Sequence, residues 1–132
     1  MLLEHLNLLP LHDDTLTGDA NANRLEGGDG DDRLAGMAGA DVLVGGDGSD
    51  TADYSQSNAA VTVNLADSTG SGGHAQGDTL SSIENVIGSD SADTLIGDNS
   101  DNRLEGGLDN DTITAGAGDD VLIGGDANDT LV

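Results

Sequence analysis

Apolar residues recur along this chain at an interval of nine. Leu16, Leu25, Leu34, Leu43 and Ala52 mark the interval in the first half, and Leu95, Leu104, Ile113, Leu122 and Leu131 mark it again in the second. Neither the 3.6-residue period of an amphipathic helix nor the alternation of a long half-buried strand fits that spacing. Each apolar beat sits in a short run, as in Asp41-Val42-Leu43-Val44, where a pleated strand turns one side chain inward. Two residues before each beat stands Asp14, Asn23, Asp32, Asp41 or Asp50, and later Asp93, Asn102, Asp111, Asp120 or Asp129. Glycines fill much of the remainder. The unit is clearest in Gly45-Gly46-Asp47-Gly48-Ser49-Asp50-Thr51-Ala52-Asp53, and further units start at Gly18, Gly27, Gly36, Gly88, Gly97, Gly106, Ala115 and Gly124. A degenerate unit covers 9–17. A fixed step of this kind is the signature of stacked repeats. The expected fold is all-β: a parallel β-roll, or β-solenoid, in which two units make one 18-residue turn and alternate corners fall on opposite sides.

The pattern divides the chain into four parts. Residues 1–12, rich in leucine (Leu2, Leu3, Leu6, Leu8, Leu9, Leu11), read as an N-terminal cap over the open end of the stack, or as a linker. Residues 13–53 form a first repeat block and 88–132 a second. The blocks match at an offset of 79, with Asn23-Arg24-Leu25-Glu26-Gly27-Gly28 recurring as Asn102-Arg103-Leu104-Glu105-Gly106-Gly107, so the chain is an internal duplication. Residues 54–87 break the pattern. Val61, Val63 and Leu65 alternate as one face of a strand, Ser68 to Gly77 reads as loop, and Leu80, Ile83, Val86 and Ile87 supply more apolar groups. The preferred reading is two irregular turns continuing the solenoid; a hinge between two short solenoids is the alternative. The chain ends at Val132 in mid-unit, so it is expected to be joined covalently to a further domain.

Charge alters this picture. Twenty-six acidic residues face three basic ones, for a net charge of -23, with no Phe, no Trp and one tyrosine, Tyr54. So thin a core under such self-repulsion implies disorder unless something neutralises the chain. No basic footprint exists for nucleic acid, and no run is long or apolar enough for membrane insertion. The absence of cysteine removes disulfides and thiolate metal sites.

A neutralising partner follows from the corners. Ca²⁺ takes six to eight oxygen ligands at about 2.3–2.6 Å and accepts carbonyls beside carboxylates. One GGxGxD corner offers bent carbonyls and a carboxylate, too few for a shell; two corners one turn apart offer enough. The candidate ligands of the first block are Asp14, then Gly27, Gly28, Asp29, Gly30 and Asp32, then Gly36, Gly39 and Asp41, then Gly45, Gly46, Asp47, Gly48 and Asp50. Those of the second are Asp93, then Gly106, Gly107, Asp109 and Asp111, then Gly116, Gly118 and Asp120, then Gly124, Gly125, Asp126 and Asp129. Units 18 residues apart pair as 9 with 27, 27 with 45, 18 with 36, 88 with 106, 106 with 124 and 97 with 115, giving up to about six sites. Asn23 and Asn102, with Asp19 and Asp98 in place of a second glycine, mark two weaker corners. Met37, Asp109 and Ala127 also stand where glycine is usual. The loop at Asp47–Asn58 is no EF-hand, since Ala52 replaces its turn glycine and Asn58 its final glutamate.

Gly27-Gly28-Asp29-Gly30-Asp31-Asp32-Arg33-Leu34 and the unit at Gly45 resemble the hemolysin-type calcium-binding repeats, or repeats in toxin (RTX), of secreted Gram-negative proteins. Gly77-Asp78-Thr79-Leu80-Ser81-Ser82-Ile83-Glu84-Asn85-Val86 is similar to the non-repeat turn between such blocks. The resemblance covers about residues 13–132. It implies a β-roll that stays unfolded in a low-calcium cytoplasm, leaves by type I secretion and folds outside. An adhesin-type spacer or surface-binding solenoid is the competing expectation. An ice-binding face would need Thr-x-Thr on every turn, whereas the flanking pairs of the first block vary. Catalysis is not expected: no HExxH or GxSxG occurs, and chelation would hold these carboxylates ionised.

Overall fold

The computed structural model describes residues 11–132 and the backbone of a strand at His5–Asn7. The leucines at 2, 3, 8 and 9 and the side chains of His5 and Leu6, on which the cap reading rests, lie outside the described residues. Leu11, its last member, is exposed.

Short strands build two sheets. The first sheet takes β1 (His5–Asn7), β3 (Arg24–Asp29), β5 (Val42–Asp47), β7 (Thr62–Asn64), β8 (Thr69–Ser71), β9 (Thr79–Ser81), β11 (Thr94–Ile96), β13 (Thr112–Thr114) and β15 (Thr130–Leu131). The second takes β2 (Thr15–Thr17), β4 (Arg33–Ala35), β6 (Thr51–Asp53), β10 (Asn85–Ile87), β12 (Arg103–Gly107) and β14 (Val121–Gly125). Within the blocks, successive turns pair in parallel at a step of 18: Leu25 opposite Leu43, Leu16 opposite Leu34, Leu104 opposite Leu122. The chain is thus a parallel β-solenoid with 18-residue turns.

Most strands with described side chains bury one apolar residue against the opposite sheet. Leu16, Leu25, Leu34, Leu43, Ala52, Val63, Leu80, Val86, Leu95, Leu104 and Ile113 form one continuous core between the sheets, joined by Tyr54, Val61, Leu65, Ala75 and Ile83. Leu122 is only partly buried, and Leu131 in β15 is 47% exposed. Every interior leucine contributes about 1.5–3 kcal/mol, because it removes its whole side chain from water.

The middle segment departs from regular turns. The run after Ser68, expected as loop, contains β8, which pairs antiparallel with both β7 and β9. A turn over 65–68 reverses the chain, with Ser68 left-handed (φ 59), Asn64 Nδ2 donating to Asp67 Oδ2 and the Asp67 N–H donating to Asn64 Oδ1. Three strands of the first sheet (β9, β8, β7) therefore stand between β5 and β11, where the second sheet has only β10 between β6 and β12. Both sheets run through this segment without a break in pairing.

That detour shifts the phase of the duplication. Leu25 lies in the first sheet, whereas Leu104, its copy, lies in the second. Corners 27–32 and 45–50 lead from the first sheet to the second; corners 106–111 and 124–129 lead from the second to the first. The two glycine-rich corner pairs consequently occupy opposite sides of the roll.

Candidate metal centre

The sixth-position carboxylates form a ladder along each side. The Asp14 N–H donates to Asp32 Oδ1 at 2.8 Å, and the Asp32 N–H donates to Asp50 Oδ1 at 2.9 Å. On the other side the Asn23 N–H donates to Asp41 Oδ1, the Asp93 N–H to Asp111 Oδ1, and the Asp111 N–H to Asp129 Oδ1. The Asn102 N–H donates to Asp120 Oδ1 in the same way. One oxygen of each of these carboxylates thus binds the turn before it.

A second ladder runs the opposite way one residue earlier. The N–H of Asp31 donates to Asp13 Oδ1, that of Ser49 to Asp31 Oδ1, that of Asp119 to Asp101 Oδ1, and that of Asn128 to Asn110 Oδ1. Together the ladders add side-chain acceptors to the backbone bonds between stacked corners, such as Gly30 N–H to the Asp47 carbonyl and Asp126 N–H to the Gly107 carbonyl.

The remaining oxygens separate the corners into two kinds. Where the second residue is Gly28, Met37, Gly46 or Gly107, all left-handed, the sixth-position Oδ2 of Asp32, Asp41, Asp50 or Asp111 is buried without a hydrogen-bond partner. Asp14 Oδ2 shares that condition. Behind the left-handed Gly116 and Gly125, by contrast, Asp120 and Asp129 are only half-buried. Where the second residue is Asp or Ser, the corner closes on itself. The Asp19 N–H donates to Asn23 Oδ1, the Asp98 N–H to Asn102 Oδ1, and Ser89 gives its N–H to Asp93 Oδ2 and its hydroxyl to Asp93 Oδ1. Asp19, Asp98 and Ser89 then stabilise their own turns by accepting from the N–H two residues on. The closed corners thus have Asp or Ser at the second position, whose N–H reaches the sixth-position oxygen of Asn23, Asp93 or Asn102.

Glycine is required at the open corners for a second reason. A methyl on Gly46 (φ 124) would lie 1.9 Å from the carbonyl oxygen of Gly28, and one on Gly48 (φ 134) 2.0 Å from that of Gly30. Carbonyl oxygens of one corner therefore press directly onto the next. Met37 (φ 73), Asp109 (φ 64) and Ala127 (φ 89) adopt the same left-handed backbone with a side chain attached, a strained state for an L-residue.

Among the described residues nothing of positive charge meets these oxygens. The three basic residues pair on the outer sheet faces: Arg24 with Glu26, Arg33 with Asp53 at 2.8 Å, and Arg103 with Glu105 at 3.2 Å. Burial pushes the Asp41 carboxyl up to about 7, helped by Asp78 and Asp19 nearby and opposed by its bond from Asn23. Burial likewise pushes Asp50 up to about 6, against the bond from Asp32 and with repulsion from Asp32, Glu84 and Asp31. Asp93 and Asp111 move upward for the same leading reason. Asp41, Asp50 and Asp111 each have a donor on Oδ1 and none on a buried Oδ2, and the charge of each is relieved either by a proton or by a cation. Among the described residues no three His, Cys, Asp or Glu side chains gather as a carboxylate-only metal site. Carbonyl oxygens lie beside the open carboxylates, as the Ser82 and Asp50 oxygens do at Gly45, and a mixed carboxylate–carbonyl shell is of the kind that suits Ca²⁺.

Two ladder members were not among the sequence candidates. Asp78 Oδ1 accepts from the Asp41 N–H at 2.8 Å, and Glu84 Oε2 accepts from the Asp50 N–H at 2.9 Å. They take the sixth-position place where the repeat is interrupted, at separations of 37 and 34 residues rather than 18. Asp78 is closed by the protein, because the Tyr54 hydroxyl donates to its Oδ2 at 2.9 Å. Burial still lifts Asp78 to about 6. The buried phenol is itself pushed upward, by burial first and then by the Asp78 charge. The only legible signal for Asp78 was its position after Gly77 and two residues before the apolar Leu80, the spacing of a regular unit.

No curated protein matches the chain. The family model described as the RTX calcium-binding nonapeptide repeat (4 copies) matches residues 17–52, 78–113 and 96–131, the second match starting at Asp78. These repeats are structural and not catalytic, and the matches cover well over half of the sequence. The parallel solenoid, its step of 18 and its open carboxylate corners are what such a repeat must build, and the chain belongs to the RTX calcium-binding nonapeptide repeat family.

Proposed function

We propose that this chain is a calcium-driven folding module of a secreted protein. The observation that carries the reading is the set of buried, unpartnered carboxylate oxygens on Asp14, Asp32, Asp41, Asp50 and Asp111 in a chain of net charge -23. In a low-calcium cytoplasm these charges oppose folding and keep the chain extended, a form suited to export by type I secretion. Outside the cell, Ca²⁺ bound between stacked corners supplies the positive charge that the open oxygens lack. Folding and binding are then one event, as in other small domains whose ligands are assembled only in the native state. Asp32, Asp41, Asp50 and Asp111 hold the ions together with carbonyls of the glycine corners, and Asp14, Asp120 and Asp129 serve at the ends. We assign the blocks 13–53 and 88–132 to calcium binding and 54–87 to a joint continuing the stack. The module supports a further domain joined to it.

Circular dichroism in chelator and in millimolar calcium tests the reading. The expected result is a coil spectrum without calcium and a β spectrum with it, accompanied by a sharp fall in hydrodynamic radius. A β spectrum that persists in excess chelator at neutral pH would overturn it. Magnesium should substitute poorly, because it holds its waters and prefers shells at about 2.0–2.1 Å.

One observation favours a second reading, a surface-binding solenoid. On the outer face of the first sheet Thr62, Thr94, Thr112 and Thr130 fall in one row by register. Thr69 and Thr79 pair on the neighbouring strands, and from β9 through β13 this face carries no charged side chain. The array is one column of threonines, with Asn64, Ile96 and Thr114 two residues on rather than a second Thr on every turn. Such a column of hydroxyls and methyls suits an ordered neutral surface such as crystalline water. Ice growth in the presence of the calcium-loaded protein and of its Thr112→Lys variant tests this, and growth unaltered by either removes the reading.

A further inference from the structure

The link Ser82-Ile83-Glu84 does more than carry the chain from β9 to β10. In regular turns the first-position carbonyl of one corner points at the first-position glycine of the corner before it. A methyl on Gly18 would meet the Gly36 oxygen at 2.5 Å, one on Gly97 the Ala115 oxygen at 2.0 Å, and one on Gly106 the Gly124 oxygen at 2.7 Å. At Gly45 that contact is made by the Ser82 oxygen, at 1.9 Å. The register explains it: Val44 lies opposite Ser81, so Ser82 follows opposite Gly45. Ser82 is left-handed (φ 51), a conformation that regular corners reserve for later positions such as Gly46 and Gly48. Two residues later Glu84 stands opposite Asp50, since Asn85 lies opposite Thr51, and its Oε2 accepts the Asp50 N–H. A regular corner spans five residues between its first position and its carboxylate. This link spans two, and the extra methylene of glutamate makes up reach.

Asp50 is fully buried, and its Oδ2 has no hydrogen-bond partner. A methyl on Gly45 would lie 2.4 Å from that oxygen as well as against the Ser82 carbonyl, so both converge on one glycine. Glu84 adds a second carboxylate to the same junction. The corresponding link on the opposite side lacks this opening, because the Tyr54 hydroxyl closes Asp78 Oδ2.

The geometry points to an additional Ca²⁺ site between corner 45–50 and the link 82–84, with the Asp50 and Glu84 carboxylates and the Ser82 carbonyl among its ligands. It rests on the calcium reading above, and no spacing of 18 reveals it. Corner 45–50 would then serve two ions, one shared with corner 27–32 and one with the link. The site carries calcium binding across the interruption and couples the first block to the second. Glu84 is continuous with the second block through its carbonyl, which accepts from the Arg103 N–H and from Asn102 Nδ2.

The test is isothermal titration of the whole chain with CaCl₂, comparing wild type, Glu84→Gln and Asp67→Asn. The glutamine keeps an oxygen for the Asp50 N–H and removes one charge. Asp67 is an exposed acid bonded to Asn64, so its variant controls for charge alone. Glu84→Gln should bind one ion fewer than wild type, and Asp67→Asn the same number. Equal stoichiometry in Glu84→Gln and wild type overturns this site while leaving the calcium module intact. Absence of calcium binding in wild type overturns the module itself. Should Glu84→Gln fail to fold, anomalous diffraction from calcium-loaded wild-type crystals decides: a peak between Asp50 and Glu84 supports the site, and peaks confined to the glycine corners refute it.

Discussion

Asp32 sits at the point where the two roles of a corner carboxylate can be separated. Its Oδ1 accepts the Asp14 N–H, its own N–H donates to Asp50 Oδ1, and its Oδ2 is unpartnered. Asp32→Asn keeps the ladder, because the amide oxygen can replace Oδ1. It removes the charge and puts an NH₂ where a cation is expected. Asp32 faces the corners of Asp14 and of Asp50, so the substitution damages two sites. At calcium 100-fold above the dissociation constant each site contributes about 2.7 kcal/mol to folding, and the loss of both costs about 5 kcal/mol. Without metal the sign reverses, since one buried, mutually repelling charge has gone. Asp32→Ala also removes the ladder acceptor and orphans the Asp14 N–H, adding about 1–3 kcal/mol in either condition. The assay is calcium titration followed by circular dichroism, with calorimetric stoichiometry alongside. The expected order of calcium midpoints is wild type lowest, then Asp32→Asn, then Asp32→Ala, with about two ions lost in each variant. A calcium stoichiometry and midpoint for Asp32→Asn equal to wild type would show that Oδ2 is not a ligand and refute the argument.

Three other outcomes follow from the same geometry. Tyr54→Phe leaves Asp78 Oδ2 buried without its donor and should cost about 1–3 kcal/mol in thermal unfolding with no change in bound calcium. Gly46→Ala should prevent folding at calcium levels that fold wild type, because its methyl meets the Gly28 carbonyl, whereas Ala127→Gly should gain up to about 1 kcal/mol by relieving a left-handed backbone. In chelator, acid should favour the fold. Asp41, Asp50 and Asp78 have folded pKa values of about 6 to 7 against 3.8, so the folded state binds the extra protons. Their stabilisation is complete below 3.8 and is lost as pH rises through 6 to 7. Compaction of the metal-free chain on going from pH 8 to 4, read by light scattering, is the expected result, and an unchanged radius would contradict it.

The interval of nine was enough to assign the solenoid, its step of 18 and the inward residues from Leu16 to Ile113. These are properties of a short unit repeated along the chain, and each unit meets only its neighbours in the stack. The sixth-position aspartates were legible for the same reason. What the repeat could not express was decided by contacts between distant segments. Whether a second copy starts in the first sheet or the second depends on how many times the interruption crosses between sheets. Strands β7, β8 and β9 settle that by pairing with one another, so Leu25 and Leu104 end in different sheets. Whether a corner is open or closed follows the residue at its second position, left-handed Gly46 against Asp98 with its N–H on Asn102, and once a phenol from 24 residues away. Asp78 and Glu84 entered the ladder only because folding set them opposite Asp41 and Asp50. Period is written locally in the covalent chain; phase, closure and the joint across the interruption are properties of packing, which exists only once the turns are stacked.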